Sequence, residues 1–489
     1  MKILLVYANS MLENALPISI SQLSACLKAS GCDVKLFDTT FYKWGQKSDM
    51  ENRIEALQIR PCPLNYVNGD VYEEFTRTIE EEKPDLIGLS LVEPTFRFGM
   101  ALLNKAIEVI KKHRIRVAVG GVHAILAPET ISKYDFVDYI CISEGERAFV
   151  ELCQKIEQDK PVYETRGFWI RKGKEWIKTE RAPIVDLNDL PPLDFSLFSA
   201  NYLEKPMMGK IYKTVTAEVS RGCPYRCSYC GDYALRRLFR DEGGWYREKD
   251  MKLVIDEIKQ YIARYHASYL YIHSETFLAM NQKRFDEFIE GYEDIRVPFW
   301  FNTRPESISK ERIRKLEEVG CHRISVGIEH GNEQFRQTIL SRNYTNDQAI
   351  KALKILDDSG IAYSVNVIIG FPDETRDLVF DTIELCRKIN PDGISTHIFN
   401  PYHGTKLRDV CIQKGYIGKN LIADDFFQDY VLDQPEFTRE QVLGLFRTIP
   451  LYIKFSESEY PRIKEAERLD DEGNKLFQEF QKIYRGKYF

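Results

Sequence analysis

Short apolar runs alternate with amphipathic stretches along the first 142 residues. A run at Lys2–Tyr7 gives way to a helical pattern at Ile18–Ala29, where Ile18, Ile20, Leu23 and Leu27 recur at helical spacing and Gly31 supplies a stop signal. The pattern predicts further strands at 34–37, 86–91, 117–119 and 139–142, and helices at 71–82, 98–111 and 147–158. Strand alternating with helix implies parallel strands in a doubly wound α/β sheet, whose ligands sit beyond the strand carboxyl ends. Those ends are 8–12, 90–96, 120–127 and 143–146.

Two apolar runs at 167–170 and 175–178 flank a glycine turn at Gly173, a hairpin signal, and Pro183, Pro191 and Pro192 mark the stretch after it as a linker. The alternation resumes with strands at 215–219, 269–272, 299–302, 323–328, 362–369 and 394–399. Helices are expected between them at 249–264, 283–292, 309–319, 347–359 and 376–389. Six strand-helix steps predict an open, partial (β/α)6 barrel with its reactive face at the strand carboxyl ends. Residues 434–489 read as amphipathic helices, with 440–455 as a core-facing cover for the barrel's open side. The spans expected are 1–155 for the first sheet, 156–205 for hairpin and linker, 206–410 for the barrel and 411–489 for a helical extension.

Composition narrows the class. With 489 residues, 44% hydrophobic and 29% charged, the chain reads as a multidomain globular enzyme. A formal charge of −6 gives no global cationic field, so no nucleic-acid partner is expected. The apolar start is too short for a signal peptide core or a membrane span, and a cytoplasmic location is expected. Eleven cysteines are too few for a disulfide scaffold, and eight are dispersed as small buried hydrophobes.

The other three form Cys223-Pro224-Tyr225-Arg226-Cys227-Ser228-Tyr229-Cys230, on the loop after the first barrel strand. Three thiolates from one loop can hold three corners of a 4Fe-4S cluster and leave one iron open. The competing reading is a zinc site completed by His266 or His273.

At these residues the sequence resembles the radical S-adenosylmethionine (SAM) superfamily. The resemblance places Tyr229 close to the SAM adenine. It identifies His273-Ser274-Glu275 with the acidic segment that takes the SAM amino group. Val326-Gly327-Ile328-Glu329-His330-Gly331 is similar to the stretch facing ribose and carboxylate, and Gly370-Phe371-Pro372-Asp373-Glu374 to the backbone motif beside adenine. Each has a plainer alternative: Glu275 as a helix cap, Glu329 as an arginine's partner, Gly370-Phe371 as a turn. Their common position at strand carboxyl ends favours the joint reading.

The first sheet, with Gly120-Gly121-Val122-His123, Pro128-Glu129 and Ser143-Glu144-Gly145-Glu146, resembles the cobalamin-binding domain that precedes the barrel in one subgroup. Under that reading Gly120 and Gly121 admit close approach of the macrocycle, and His123 is a contact or a structural residue rather than an axial ligand. No histidine stands in a D-x-H-x-x-G motif, Ile125 replaces a frequent threonine, and His403 a frequent proline. The resemblance implies three cofactors, 4Fe-4S, SAM and cobalamin, and an external one-electron donor such as flavodoxin or ferredoxin. The expected reaction is reductive cleavage of SAM to a 5′-deoxyadenosyl radical, followed by methyl transfer by way of cobalamin to an unactivated carbon of a small molecule. The alternatives are oxidative cyclisation or rearrangement, as in the anaerobic porphyrin-ester cyclases, and modification of tRNA or protein.

Overall fold

A computed structural model describes residues 1–9, 16–43, 47–63, 65–423 and 429–489. The chain divides into two compact units. One holds Met1–Ser48, Leu64–Glu204 and Ala234–Arg247, the other Asp49–Pro63, Lys205–Tyr233 and Glu248–Phe489. The units therefore cut across the spans expected from sequence at two places: residues 49–63 leave the first sheet for the barrel unit, and 234–247 do the reverse.

The first unit is built on strands β1 (Lys2–Tyr7), β2 (Asp33–Asp38), β3 (Leu86–Ser90), β4 (Arg116–Gly120), β5 (Tyr139–Cys141), β6 (Phe168–Lys172) and β7 (Glu175–Lys178), in the order β2-β1-β3-β4-β5-β6-β7. β1 to β5 are parallel, and β6 and β7 add the expected antiparallel hairpin. The strand order reverses between β1 and β3, which makes the carboxyl ends there the switch point where such sheets take ligands. The expected helix over 98–111 is two, Phe96–Lys105 and Ile107–Lys112, because Ala106 leaves helical geometry at φ −90° and ψ 7°. A helix at Asp49–Glu55, which the periodicity did not suggest, buries only Asp49 and Met50 and so carries no apolar stripe to read.

A clip within the first unit ties the helix Ile18–Ala29 to the linker. Asp194 accepts from Lys28 Nζ (2.6 Å) and Ser24 Oγ (2.7 Å) on one oxygen, and from Ser196 on the other. Burial alone would raise its carboxyl, but these donors win and hold it at about 2. An unfolded aspartate titrates near about 3.9, so the clip stabilises the unit above that value and the stabilisation is lost as pH falls towards 2. Between about pH 5 and pH 3 the urea midpoint of the protein is expected to fall more steeply than that of Asp194→Asn. Parallel slopes would count against the clip.

The second unit holds β8 (Glu204–Met207) and β9 (Lys210–Glu218). Two-residue strands follow at Ser220–Arg221 (β10) and Arg247–Glu248 (β11), then β12 (Tyr269–His273), β13 (Phe299–Thr303), β14 (Cys321–Glu329), β15 (Ala362–Ile369) and β16 (Gly393–Ile398). Its large sheet runs β16-β15-β14-β13-β12-β9-β8. The six strands β9 and β12 to β16 are parallel, as the partial barrel predicts. Along β15 exposure alternates strictly: Tyr363, Val365, Val367 and Ile369 are buried, whereas Ala362, Ser364, Asn366 and Ile368 are half-buried although the strand has neighbours on both sides. The second set lines an open interior.

The final helices pack on the barrel. The helix Arg439–Lys454 opens on a capping box between Thr438 and Gln441 and buries Val442, Leu445, Ile449 and Ile453. Arg376 forks onto Glu467 with two contacts of 2.6 Å, and Arg387 donates to the carbonyls of Tyr452 and Phe455. No helix among the described residues is long and apolar enough to cross a membrane.

Candidate functional site

Glu218 ends β9, and the loop that follows carries the three cysteines before the helix Gly231–Leu238. The loop is pinned at its centre, where Ser228 donates its N–H to Leu340 O (3.1 Å) and its hydroxyl to Ile339 O, while its own carbonyl accepts from Leu407 N–H. All three thiols are free. Cys227 Sγ accepts from Arg304 Nη1 at 3.4 Å and from Arg342 Nη1 at 3.8 Å, and Cys223 Sγ lies 3.9 Å from Thr276 Oγ1. Burial pushes the Cys223 thiol up to about 11 and Cys230 well above its ordinary value. Bound metal reverses that preference by stabilising thiolate.

A zinc site would need a histidine beside the three thiolates. His266 does not supply it: it is exposed at the C-cap of the helix Met251–Tyr265, which leads into the amino end of β12, away from the cysteine loop. His273 ends β12 and faces Glu275 at 3.9 Å. The donor set fits an iron-sulfur cluster.

Around the loop the structure brings several expected residues together. Tyr229 packs against Phe371 with ring centroids 5.6 Å apart, and Arg342 reaches Tyr229 Oη (3.4 Å), Glu329 Oε1 (3.6 Å) and the carbonyl of Gly327. Glu329 is aimed by a β-bulge between Gly327 and Glu329 and sits at φ 69°, a conformation strained for a side-chain-bearing residue. A Cβ on Gly327 would stand 2.5 Å from the Glu329 carboxylate, so the glycine makes room for it. Burial raises the Glu329 carboxyl while Arg342 and Arg304 oppose that. Glu329 thus partners an arginine and also faces the site. Glu275 does not cap a helix: the turn after it, Phe277–Ala279, starts at Thr276 without a side-chain cap, and the Glu275 side chain remains 43% exposed.

The turn at Gly370 is held from below. Glu374, wholly buried, accepts the N–H of Gly370 and of Phe371 (3.1 Å) on one oxygen and His330 Nε2 (2.9 Å) on the other. Asn332 N–H donates to His330 Nδ1 at 3.0 Å, which assigns the ring proton to Nε2 and makes it the donor to Glu374. Gly370 sits at φ +84°, and a Cβ there would meet the Tyr430 ring at 2.7 Å. The C-terminal extension therefore backs this turn, which sequence did not show.

Arg304, Arg342 and Glu374 were not singled out from sequence as site residues. Arg304 also stacks over Tyr225 at 3.6 Å. Inward from this rim the barrel presents Tyr271 stacked on Trp300 at 4.2 Å, Asn302 bonded to Tyr271 Oη, and Asn366 bonded to Ser325.

In the first unit the glycines divide. Gly120 leaves open space, since a Cβ would lie an ordinary 3.5 Å from Cys141. Gly121 does not: at φ +92° its missing Cβ makes room for the backbone of Leu91, 2.4 Å from where that carbon would be. His123 is held inside its own unit, with Nε2 2.9 Å from Thr130 Oγ1, Nδ1 3.9 Å from Glu93, and the ring 4.6 Å from Phe96. Beside them Val92 and Val122, just past β3 and β4, are 41% and 39% exposed. Two outward valines at the carboxyl ends of β3 and β4, beside the switch point, fit a large flat apolar ligand such as a corrin. Of the expected ligand segment 8–12, residues 10–12 lie outside the described residues.

A doubly wound sheet, a partial parallel barrel and a three-thiol loop at the barrel's carboxyl rim define a two-module iron-sulfur enzyme. Family profiles agree: residues 217–386 match the radical SAM superfamily and residues 5–153 the B12 binding domain. The chain thus carries a radical SAM domain and a B12-binding domain, whose cofactors are a 4Fe-4S cluster with SAM and cobalamin. It is 26% identical over 350 residues to the anaerobic magnesium-protoporphyrin IX monomethyl ester cyclase of Cereibacter sphaeroides, covering 69% of this chain and 54% of that one. To an uncharacterized methyltransferase of Pyrococcus horikoshii it is 24% identical over 394 residues, covering 78% and 81%. The structure of the radical SAM methyltransferase TsrM from Kitasatospora setae superposes with a TM-score of 0.63 at 14% identity over 94% of this chain and 84% of that one. For the cobalamin-dependent radical SAM enzyme OxsB the values are 0.66, 16%, 100% and 71%. These likenesses show the fold. The chain spans just over half the length of the cyclase relatives, 54% and 60%.

Proposed function

We propose that this chain is a cobalamin-dependent radical SAM methyltransferase that methylates an unactivated carbon of a small molecule. The observation that carries the reading is the three-thiol loop at the barrel rim, with Glu275 and Glu329 at the carboxyl ends of β12 and β14. Cys223, Cys227 and Cys230 would hold the cluster, which when bound supplies the electron that splits SAM into a deoxyadenosyl radical. Glu275 and Glu329 offer carboxylates to the SAM ammonium group, and Tyr229 and Phe371 a ring-lined slot for adenine. Glu374 and His330 fix the Gly370-Phe371 backbone there. Gly120, Val92 and Val122 offer the corrin its face. His123 and Gly121 serve the shape of that end of the sheet.

Methyl transfer is favoured over cyclisation because the more complete match in length, 81% of the relative, is to a methyltransferase. The 26% identity to a cyclase favours oxidative cyclisation as the second reading, with cobalamin as a redox partner. In either case the electron comes from a flavodoxin- or ferredoxin-type protein, and the enzyme works in the cytoplasm without nucleic acid. The test is anaerobic turnover of the reconstituted protein on candidate substrates. Methyl transfer requires S-adenosylhomocysteine and 5′-deoxyadenosine in equal amounts and a product heavier by one methyl unit. Deoxyadenosine without homocysteine, with a product lighter by hydrogens, would replace it with cyclisation.

A further inference from the structure

The segment 49–63 belongs to the barrel unit, and nothing in the site described so far uses it. Arg53, on the helix Asp49–Glu55, donates through Nη2 to Ser395 Oγ at 3.1 Å. Ser395 stands on β16 opposite Asn366 of β15, one of the half-buried residues of the inward face. The guanidinium therefore reaches the inner wall of the barrel. Gln58 fixes the segment in place by donating to Thr396 O at 2.9 Å.

The charge there is not neutralised. Among the described residues no carboxylate lies within ion-pair distance of Arg53, and its Nε is buried without a partner. The amide Nδ2 of the adjacent Asn52 is likewise buried and unpartnered. His397, two residues beyond Ser395 and 3.1 Å from its hydroxyl, is kept neutral by burial and by the nearby Arg53 charge, so it adds no second cation. Buried donors left without acceptors are costly, and a guanidinium fork matches the two oxygens of an oxyanion.

We propose that Arg53 and Asn52 form a subsite for an anionic oxygen group of the substrate, a carboxylate or a phosphate, on the inner wall of the barrel at β16. The proposal deepens the reading above, on which the barrel interior is the substrate chamber, and it names the substrate class as anionic. Arg53 binds the two oxygens in parallel, Asn52 adds a third donor, and Ser395 keeps the guanidinium turned inward. No proton or electron moves in this step.

Equilibrium dialysis of the cluster-loaded full chain against labelled inorganic phosphate tests it. One saturable site per chain is expected, with affinity at least about tenfold lower in Arg53→Gln and intermediate in Arg53→Lys, which keeps the charge but loses the fork. Asn52→Ala, a smaller change at a helix surface, is expected to weaken binding in the same direction and guards against misfolding of the arginine variants. Absence of saturable binding, or equal affinity in the wild-type and both Arg53 and Asn52 variants, overturns the subsite. The same wild-type preparation is assayed for iron and for dithionite-driven SAM cleavage. A protein with its cluster and SAM cleavage but no phosphate site refutes the subsite alone. One with an Arg53-dependent phosphate site but no cluster supports the subsite and refutes the radical SAM assignment of the thiols.

Discussion

Cys227→Ala, reconstituted anaerobically with iron and sulfide, is expected to lose the cluster absorbance, and reductive cleavage of SAM should fall to the level of protein-free controls. Cys227 is the most buried of the three thiols and the one on which two guanidiniums converge, Arg304 at 3.4 Å and Arg342 at 3.8 Å. Its removal takes away a corner ligand and leaves two cations facing each other across an emptied position, so loss of metal should be complete rather than partial. Iron content and deoxyadenosine formation are the measurements. Retention of full iron and of SAM cleavage in this variant would show that the loop does not carry the cluster.

The second large effect is expected in the other unit. Gly121→Ala forces a Cβ to within 2.4 Å of the Leu91 carbonyl oxygen and 2.7 Å of its nitrogen, at a φ of +92° that side chains rarely adopt. Backbone cannot yield as a side-chain tip can, and strain plus overpacking should cost about 3 kcal/mol. A lowered urea midpoint with reduced cobalamin retention is the expected outcome, whereas Gly120→Ala, whose Cβ would meet only Cys141 at 3.5 Å, should leave the midpoint nearly unchanged. Equal stability of the two variants would show that β3 and β4 are not packed as described. Sequence suggested that both glycines serve approach by a cofactor. The structure separates them, because the backbone that comes close to Gly121 is the protein's own.

That separation illustrates what the chain discloses in one dimension. Strands and helices with a strong period were legible: β1, β15 and the helices Ile18–Ala29 and Arg376–Ile389 fall where the apolar spacing put them. The cysteine loop was legible because its ligands are neighbours in sequence. Arg304 and Arg342 were not, because each meets Cys227 across 77 and 115 residues of chain and no local spacing marks either. Glu374 was quoted only as the end of a motif, and its grip on Gly370 and His330 emerges once the two strand ends lie side by side. The helix at 49–55 escaped because Asp49 and Met50 are its only buried residues, and the break at Ala106 because no proline or glycine announces it.

The excursion of residues 49–63 has a consequence for how such enzymes can be taken apart. A gene fragment beginning near residue 205 encodes every strand of the barrel yet omits Gln58 and Arg53, which bond to the wall at β16. No single cut in the coding sequence yields an intact module. Exchange of the chain before residue 205 for a relative's would remove the Arg53 and Gln58 contacts from the wall at β16.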